Sequence, residues 1–456
     1  MQIIINTDKF VKALKYLVKP LVMLVAIYLG ANAVLFIEKA RPSDFGFYKD
    51  IFSKELVIKP TTDGYPMRKL ADSLSAKDIE DAKIAWRYFQ NNFQEKTGFY
   101  NSVDAYPATT LWDISSAIHA IMSAFEIGII KKDEFDARIT KLLSSMQSSN
   151  LYKNTLPNKM YNTQNLEMVD YANHKTLEGI GWSAMDIGRL LGSFTRIRKH
   201  YPEHTLLVNK VIARWDIDSI LSESTLYGIG FNFKDKGVTI VQEGKLGYEE
   251  YAAKGYLING YDASESYKYT DFLKFKEIYG IQIATDTREV KHHPAYNYVL
   301  SEPYILDGLE YGWDINSREL AYRVYKAQKK RATDVGKVIA VSEGHLDTAP
   351  YFVYNSVYTN GDTWVCLSES GENVEEFKSF STKAAYAWAT LYDDEYSVEL
   401  TKNLEGLGNK DKGWYSGRFD IDGRINKALT ANTNGVILEC INYKIKGAII
   451  KNELKK

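Results

Sequence analysis

Six times along this chain of 456 residues, a polar loop carrying an acid or an amide leads into a short helix of small or apolar residues. The loops are Asn101–Asp104 running to Trp112-Asp113, Asp170–Asn173 running to Trp182, Gly247–Tyr251, Ser301–Tyr304, Ser381–Ala385 and Leu429–Asn434. Each such helix pairs with a more amphipathic one. Twelve helices in inner and outer pairs close an (α/α)6 toroid, whose inner-helix loops converge on one central cavity. Crowded inner helices need small residues, and Gly179-Ile-Gly181, Ala252-Ala253, Ala384-Ala385, Ala387 and Ala389 supply them. A plain multi-helix bundle is the alternative; the uneven spacing of the units excludes a short-period solenoid. The expected fold class is all-α: an (α/α)6 toroid with short β insertions, preceded by one N-terminal transmembrane helix.

The periodicity places the elements. Ser75 caps a first helix with Ile79, Ala82, Trp86, Phe89 and Phe93 on one face. Further helices are expected after Thr109-Thr110, over 133–146, 182–201 and 205–221, from Glu249, over 264–275, and from Glu302. Asn316 with Glu319 reads as a capping box for the ninth. The last three fall near 382–391, 394–403 and 430–445. Strands are expected at 230–233, 238–241 and within 338–368, and 282–299 reads as irregular or extended.

Leu21 to Ile37 is apolar except for Tyr28, Gly30 and Asn32, long enough at its lower limit to span a bilayer. Lys9, Lys12, Lys15 and Lys19 precede it, which places 1–20 in the cytoplasm and the rest of the chain outside. Ala31-Asn-Ala33 resembles a signal-peptidase site, but the apolar run continues past it, favouring an uncleaved anchor. Residues 38–74, with Pro42, Pro60 and Pro66, read as a linker or surface strap before a globular domain over 75–456.

A net charge of −1 offers no polybasic attraction to nucleic acid. Cys366 and Cys440 form no metal-ligand spacing and read as buried thiols rather than a disulfide. No H-E-x-x-H, P-loop, G-x-G-x-x-G or G-x-S-x-G pattern occurs, so no metal or cofactor is expected. Asp393-Asp394-Glu395 reads as charge at a helix start, not a metal-diphosphate site.

What remains is carboxylates among aromatics, with 33 Tyr and 8 Trp in the chain. Glycoside hydrolysis needs two carboxyl groups flanking the scissile bond, one of them held protonated. Glu249-Glu250 between Tyr248 and Tyr251 fits, and equally fits an acid pair favouring a helix dipole. The other candidate acids are Asp104, Asp113, Asp170, Glu178, Asp186, Glu302, Asp307, Glu310, Glu343 and Asp347. Trp112, Trp182, Tyr251, Tyr304 and Tyr311 are the expected cleft-wall aromatics. Asp104, Glu249, Glu302, Asn432 and Asn434 join them as candidate sugar-binding groups.

Five segments carry a family resemblance: Asn101–Asp113, Gln242–Ala252, Glu302–Glu310, Ala349–Asn355 and Ala428–Asn434. They resemble a bacterial family of unknown function, allied to the glucoamylase-like region of cyclic β-1,2-glucan synthases and to endo-β-1,2-glucanases. The resemblance implies the toroid and a glycan cleft. In the allied glucanases the general acid is a Glu in a Gly-Tyr-Asn-Glu segment, to which Glu250 in Gly-Tyr-Glu-Glu corresponds. Glucoamylases place the catalytic base in the loop before the last inner helix, where this chain has the amides of Thr430–Asn434. Asp113, Asp347 or a water relay through a substrate hydroxyl is left for the second role. The expected function is a membrane-anchored glycoside hydrolase or transglycosylase acting on an envelope glucan or exopolysaccharide. The alternative is a non-catalytic glycan-binding subunit of a polysaccharide synthesis or export system.

Overall fold

A computed structural model describes residues 18, 22–23, 25–32, 58–232, 237–269, 272–288 and 297–450. The chain divides into two units, Met1–Leu56 and Val57–Lys456. In the first, residues 22–23 and 25–32 are helical and exposed. Among the described residues no helix is long and apolar enough to cross a membrane. Residues 21, 24 and 33–37 of the expected span lie outside them.

The second unit is built on six inner helices: α2 (Leu111–Glu126), α4 (Ala184–His200), α6 (Tyr248–Leu257), α7 (Glu302–Leu306, continued by a π-helical turn, Asp307–Tyr311), α9 (Thr382–Leu391) and α11 (Ala431–Lys446). Each packs on the next, and α11 closes on α2, so the inner helices form a ring. The outer helices are α1 (Ala76–Asn91), α3 (Lys132–Ser148), α5 (Thr205–Ile212), α8 (Ile315–Val335) and α10 (Glu395–Asn403). Caps start these helices where the sequence marks them: the Ser75 and Thr110 hydroxyls accept from Asp78 N–H and Asp113 N–H. Small residues allow the inner helices to crowd. A Cβ on Gly255 would lie 1.9 Å from the Gly188 carbonyl oxygen, so α4 and α6 touch backbone to backbone.

Two expectations are corrected. The described residues of 264–275 form no helix; turns and then an antiparallel hairpin, β3 (Leu273–Ile278) with β4 (Ile281–Asp286), stand there instead. The cap of α8 is Asp314, with Ser317 returning the bond, rather than Asn316 with Glu319. The fold is mostly helical, and its β insertions form seven small antiparallel sheets among the described residues. One is the expected hairpin, β1 (Thr225–Asn232) with β2 (Gly237–Gln242). Another joins β5 (Glu343–His345), β6 (Phe352–Asn355) and β7 (Cys366–Ser368).

Residues 58–71 lie against the domain as a strap. Met67 bridges to Tyr392, Arg68 N–H donates to the Leu391 carbonyl, and Ala71 N–H donates to that of Lys444. These partners sit at the C-terminal ends of α9 and α11. Cys366 and Cys440 are both buried and unpaired, and Asp394 caps α10.

Candidate active site

The N-terminal ends of the inner helices form one mouth, and the sheet β5–β6–β7 supplies part of its wall. Glu343 pairs with Tyr354 and His345 with Phe352, while Tyr354 faces Leu367 on β7. Residues opposite one another in a ladder share a face, so Glu343, His345, Phe352 and Tyr354 project together. All four are partly exposed, whereas Val353 and Cys366 on the opposite face are buried in an apolar cluster with Phe419. One face anchors the sheet and the other lines the mouth.

Glu302, at the first turn of α7, is wholly buried. Lys383 of α9 meets its Oε2 at 2.5 Å, and Asn432 of α11 donates from Nδ2 to its Oε1 at 2.6 Å. Glu343 lies within electrostatic reach of this pair. Burial pushes its carboxyl up to about 7; the Glu302 carboxylate adds to the rise, and Lys383 and the Tyr248 hydroxyl oppose it. His345 is pushed down to about 4 by burial and by Lys383, so it is neutral.

Across the ring, Asp186 stands at the first turn of α4. Its Oδ1 lies 3.0 Å from the Ser183 hydroxyl, and its Oδ2 accepts from Trp112 N–H (3.3 Å). Glu243 lies 2.8 Å from the same hydroxyl, whose single proton serves one of the two carboxyls at a time, and accepts from Ala184 N–H (2.6 Å). Burial and this neighbouring carboxylate push Asp186 up to about 7. Trp112 forms the floor: Tyr248 and Tyr251 meet it edge-on, and the Arg189 guanidinium lies 4.7 Å from its ring centre. Below it the ring axis is polar. Arg189 reaches Glu310 at 3.3 Å and Glu439 at 3.5 Å, and the Tyr251 hydroxyl donates to Glu310 at 2.6 Å. Burial raises both carboxyls, the charge of Glu310 adds to the rise at Glu439, and Arg189 opposes both.

The predicted residues divide. Trp112, Glu302 and Asn432 reach the mouth, and Asp113 lies at its edge, buried with Oδ2 accepting from the Thr110 hydroxyl at 2.8 Å. Glu250 caps α6, its Oε2 accepting from Gly247 N–H at 2.6 Å with Tyr269 and Tyr304 as neighbours, and burial and then Glu249 raise its carboxyl well above the usual range. Glu249 is paired with Arg288 at 2.7 Å. Asp347 pairs with Arg424 at 2.8 Å, and Asp104 accepts from Asn92 at 3.0 Å, so neither joins the mouth acids. Asn434 is spent on the backbone of Trp414 and Thr430. Four aromatics are core rather than wall. Tyr251, Tyr304 and Tyr311 are buried among the inner helices, and Trp182 is buried with its indole N–H on the Tyr227 carbonyl.

Sequence reasoning left Lys383, Glu243 and Tyr354 unnamed, and held Glu343 and Asp186 only among ten acids. Glu343 and Tyr354 had a signal, a β-like stretch following the Glu302 segment, but their pairing register is a tertiary fact. A groove of about 1260 Å³ lies elsewhere, at the other end of the ring beside the strap, with Trp414 and Lys444 in its lining. It is larger than a sugar subsite needs and holds none of the mouth carboxylates. The described residues gather one possible metal-ligating group, Asp136, Glu203 and His204, and Lys132 already pairs with both of its carboxylates.

A closed ring of six inner helices, most of them backed by outer helices, defines an (α/α)6-type toroid. The chain belongs to the DUF3131 family of proteins of unknown function, whose profile matches residues 80–447. An endo-β-1,2-glucanase from Chitinophaga pinensis, solved with sophorotriose and glucose, is similar in fold: TM-score 0.60, 12% identity, covering 83% of this chain and 94% of that one. An endo-β-1,2-glucanase from Talaromyces funiculosus, solved with sophorose, is similar at TM-score 0.52 and 10% identity, covering 82% and 84%. No curated protein matches the sequence.

Proposed function

We propose that this domain is a glycoside hydrolase or transglycosylase, with Glu343 as proton donor and Asp186 as the opposing carboxylate. One relation carries the reading: Glu343 on β5 and Asp186 at the start of α4 are both buried carboxyls pushed up to about 7, and Asp186 contributes to the rise at Glu343. Groups titrating near neutrality are suited to proton transfer at that pH. Their surroundings separate the roles. The Trp112 N–H donates to Asp186, which favours its ionised form and works against the rise that burial and Glu243 impose. Glu343 faces the fixed charge of Glu302, which favours its protonated form. The donor protonates the departing glycosidic oxygen, while the ionised partner takes a proton from water or attacks the anomeric carbon. Two buried polar atoms beside the mouth, Trp112 Nε1 and Asn432 Oδ1, lack protein partners, and the reading assigns them to sugar hydroxyls.

The likeness to β-1,2-glucanases makes an envelope glucan the first substrate to test. The lysine-flanked run at 21–37 supports a single-pass anchor in the bacterial cytoplasmic membrane, with this domain on its periplasmic or extracellular side, beside polysaccharide synthesis or export proteins. The protein is to be incubated with a panel of β- and α-glucans and the products read by mass. Products absent with Glu343→Gln support the reading. Full activity of Glu343→Gln with loss in Glu250→Gln returns the donor role to Glu250. Binding without turnover in the wild type leaves the glycan-binding subunit. A reporter fused after Lys456 that works only in the cytoplasm would sink the anchor.

A further inference from the structure

We propose that Arg189 is a positioning residue for the reaction: with Asp186 it clamps the backbone of Trp112, and so fixes the opposing carboxylate and the floor of the mouth against each other. This role rests on the reading of Asp186 given above and adds a residue buried beneath the floor.

The clamp follows from helix spacing. Asp186 and Arg189 are three residues apart on α4, so they share a face. That face meets the first turn of α2, where backbone N–H groups have no carbonyl of their own helix to bond. The Thr110 cap takes the Asp113 N–H, and Asp186 Oδ2 takes that of Trp112 at 3.3 Å. Arg189 grips the same residue elsewhere. Its Nη1 donates to the Trp112 carbonyl at 3.3 Å, and its guanidinium lies 4.7 Å from the indole centre. The same Nη1 donates to the Ser116 hydroxyl, one turn further along α2, at 2.7 Å. Trp112 is thus held at its N–H, its carbonyl and its ring by two side chains of one helix.

The guanidinium is itself fixed. It is wholly buried, with Nε donating to Glu310 Oε1 at 3.3 Å and Nη2 reaching Glu439 Oε1 at 3.5 Å. The Tyr251 hydroxyl holds Glu310 in turn, at 2.6 Å. Donors in one plane therefore join α4 to α2, α7 and α11. A lysine keeps the charge but has neither the plane nor the fork. Placement matters at this level, because a shift of about 1 Å in a reacting group can cost about 100-fold in rate.

The test is Arg189→Lys in the full-length protein, with Arg196→Lys for comparison. Arg196 lies two turns further along α4, is also buried, and pairs with Glu126 at 3.0 Å. Amide hydrogen exchange reads the clamp without any substrate. The Trp112 amide is expected to exchange about ten-fold faster in Arg189→Lys and at the wild-type rate in Arg196→Lys. On a glucan that the wild type cleaves, Arg189→Lys should lower kcat by about 10–100-fold and raise KM, whereas Arg196→Lys should change neither. The acid limb, where Asp186 gains its proton, should move to higher pH in Arg189→Lys, because the Trp112 donor that holds this carboxyl down is loosened. The other titratable groups facing Asp186 are Glu243, Lys159, Glu343, Tyr171 and Tyr256, and none of them bonds Arg189. If Arg189→Lys does not fold, Ser116→Ala removes one partner of the clamp and should show the same changes at smaller size. Wild-type exchange at Trp112, with wild-type kcat and acid limb, in a folded Arg189→Lys or in Ser116→Ala in its place, overturns the clamp. Asp186→Asn separates the two readings. Full turnover by Asp186→Asn with faster Trp112 exchange in Arg189→Lys keeps the clamp and loses the opposing carboxylate. An inactive Asp186→Asn with an unchanged Arg189→Lys does the reverse.

Discussion

Lys383 and Glu302 meet at 2.5 Å with almost no solvent at either side chain, joining neighbouring inner helices within electrostatic reach of Glu343. Asn432 binds the same carboxylate from the next helix, so one buried acid ties three members of the ring.

Removing the cation alone should be costly. Lys383→Met leaves Glu302 charged, buried and without its ion partner, a change worth roughly 3–5 kcal/mol of stability. The double variant Lys383→Met/Glu302→Gln should recover much of that loss. Denaturant midpoints at constant m-value check both; an additive double variant would show that the two side chains do not act as a pair.

The pH profile should report Glu343. Its carboxyl is raised to about 7, chiefly by burial and then by Glu302. A donor must be protonated, so activity is present below about 7 and falls as pH rises through that value. The linked stability has the same sign: present at low pH, lost as pH rises through the folded value. Glu302→Gln removes the like charge and frees Lys383, and both effects lower the Glu343 value. The basic limb should therefore move to lower pH, and a limb that stays in place or moves up contradicts the assignment.

Glu343→Gln is expected to lower turnover of a glycan with a poor leaving group by about 10²–10⁴-fold. An activated leaving group should reduce that loss. Glu250→Gln should act on stability instead, by about 1 kcal/mol, because its hydrogen bond closes the start of α6. Parallel kinetics and thermal melts of the two variants decide between the roles.

Gly255→Ala should destabilise by roughly 1–3 kcal/mol or more, since its Cβ would meet the Gly188 carbonyl at 1.9 Å and force α4 from α6. As Asp186 and Ser183 stand at the start of α4, activity should fall with stability. Gly260→Ala serves as a control, with open space at the Cβ but a positive backbone φ of +84° that carries its own modest strain.

Much of the ring was legible because its signals are local. Caps at Ser75 and Thr110, and the alanines of Thr382–Leu391, mark helices without knowledge of the rest. The missed hairpin was local too. Tyr279-Gly280 joins Leu273–Ile278 to Ile281–Asp286, and both residues have positive φ (52° and 70°), as a two-residue hairpin turn requires. The mouth was less legible. In α6 the rotation of one helix turns Tyr248 and Tyr251 toward the axis, where Trp112 meets both, and leaves Glu250 on its own cap. Which acid of a sequence pair faces the centre is a matter of about 100° per residue, set by packing.

The strap gives the domain a polarity. The chain joins at the C-terminal ends of α9 and α11, beside Tyr392 and Lys444, whereas Glu343 and Asp186 stand at the opposite pole. A substitution that loosens Met67, Arg68 or Ala71 is therefore felt first at the ends of α9 and α11, a whole helix length away from the carboxyls of the mouth.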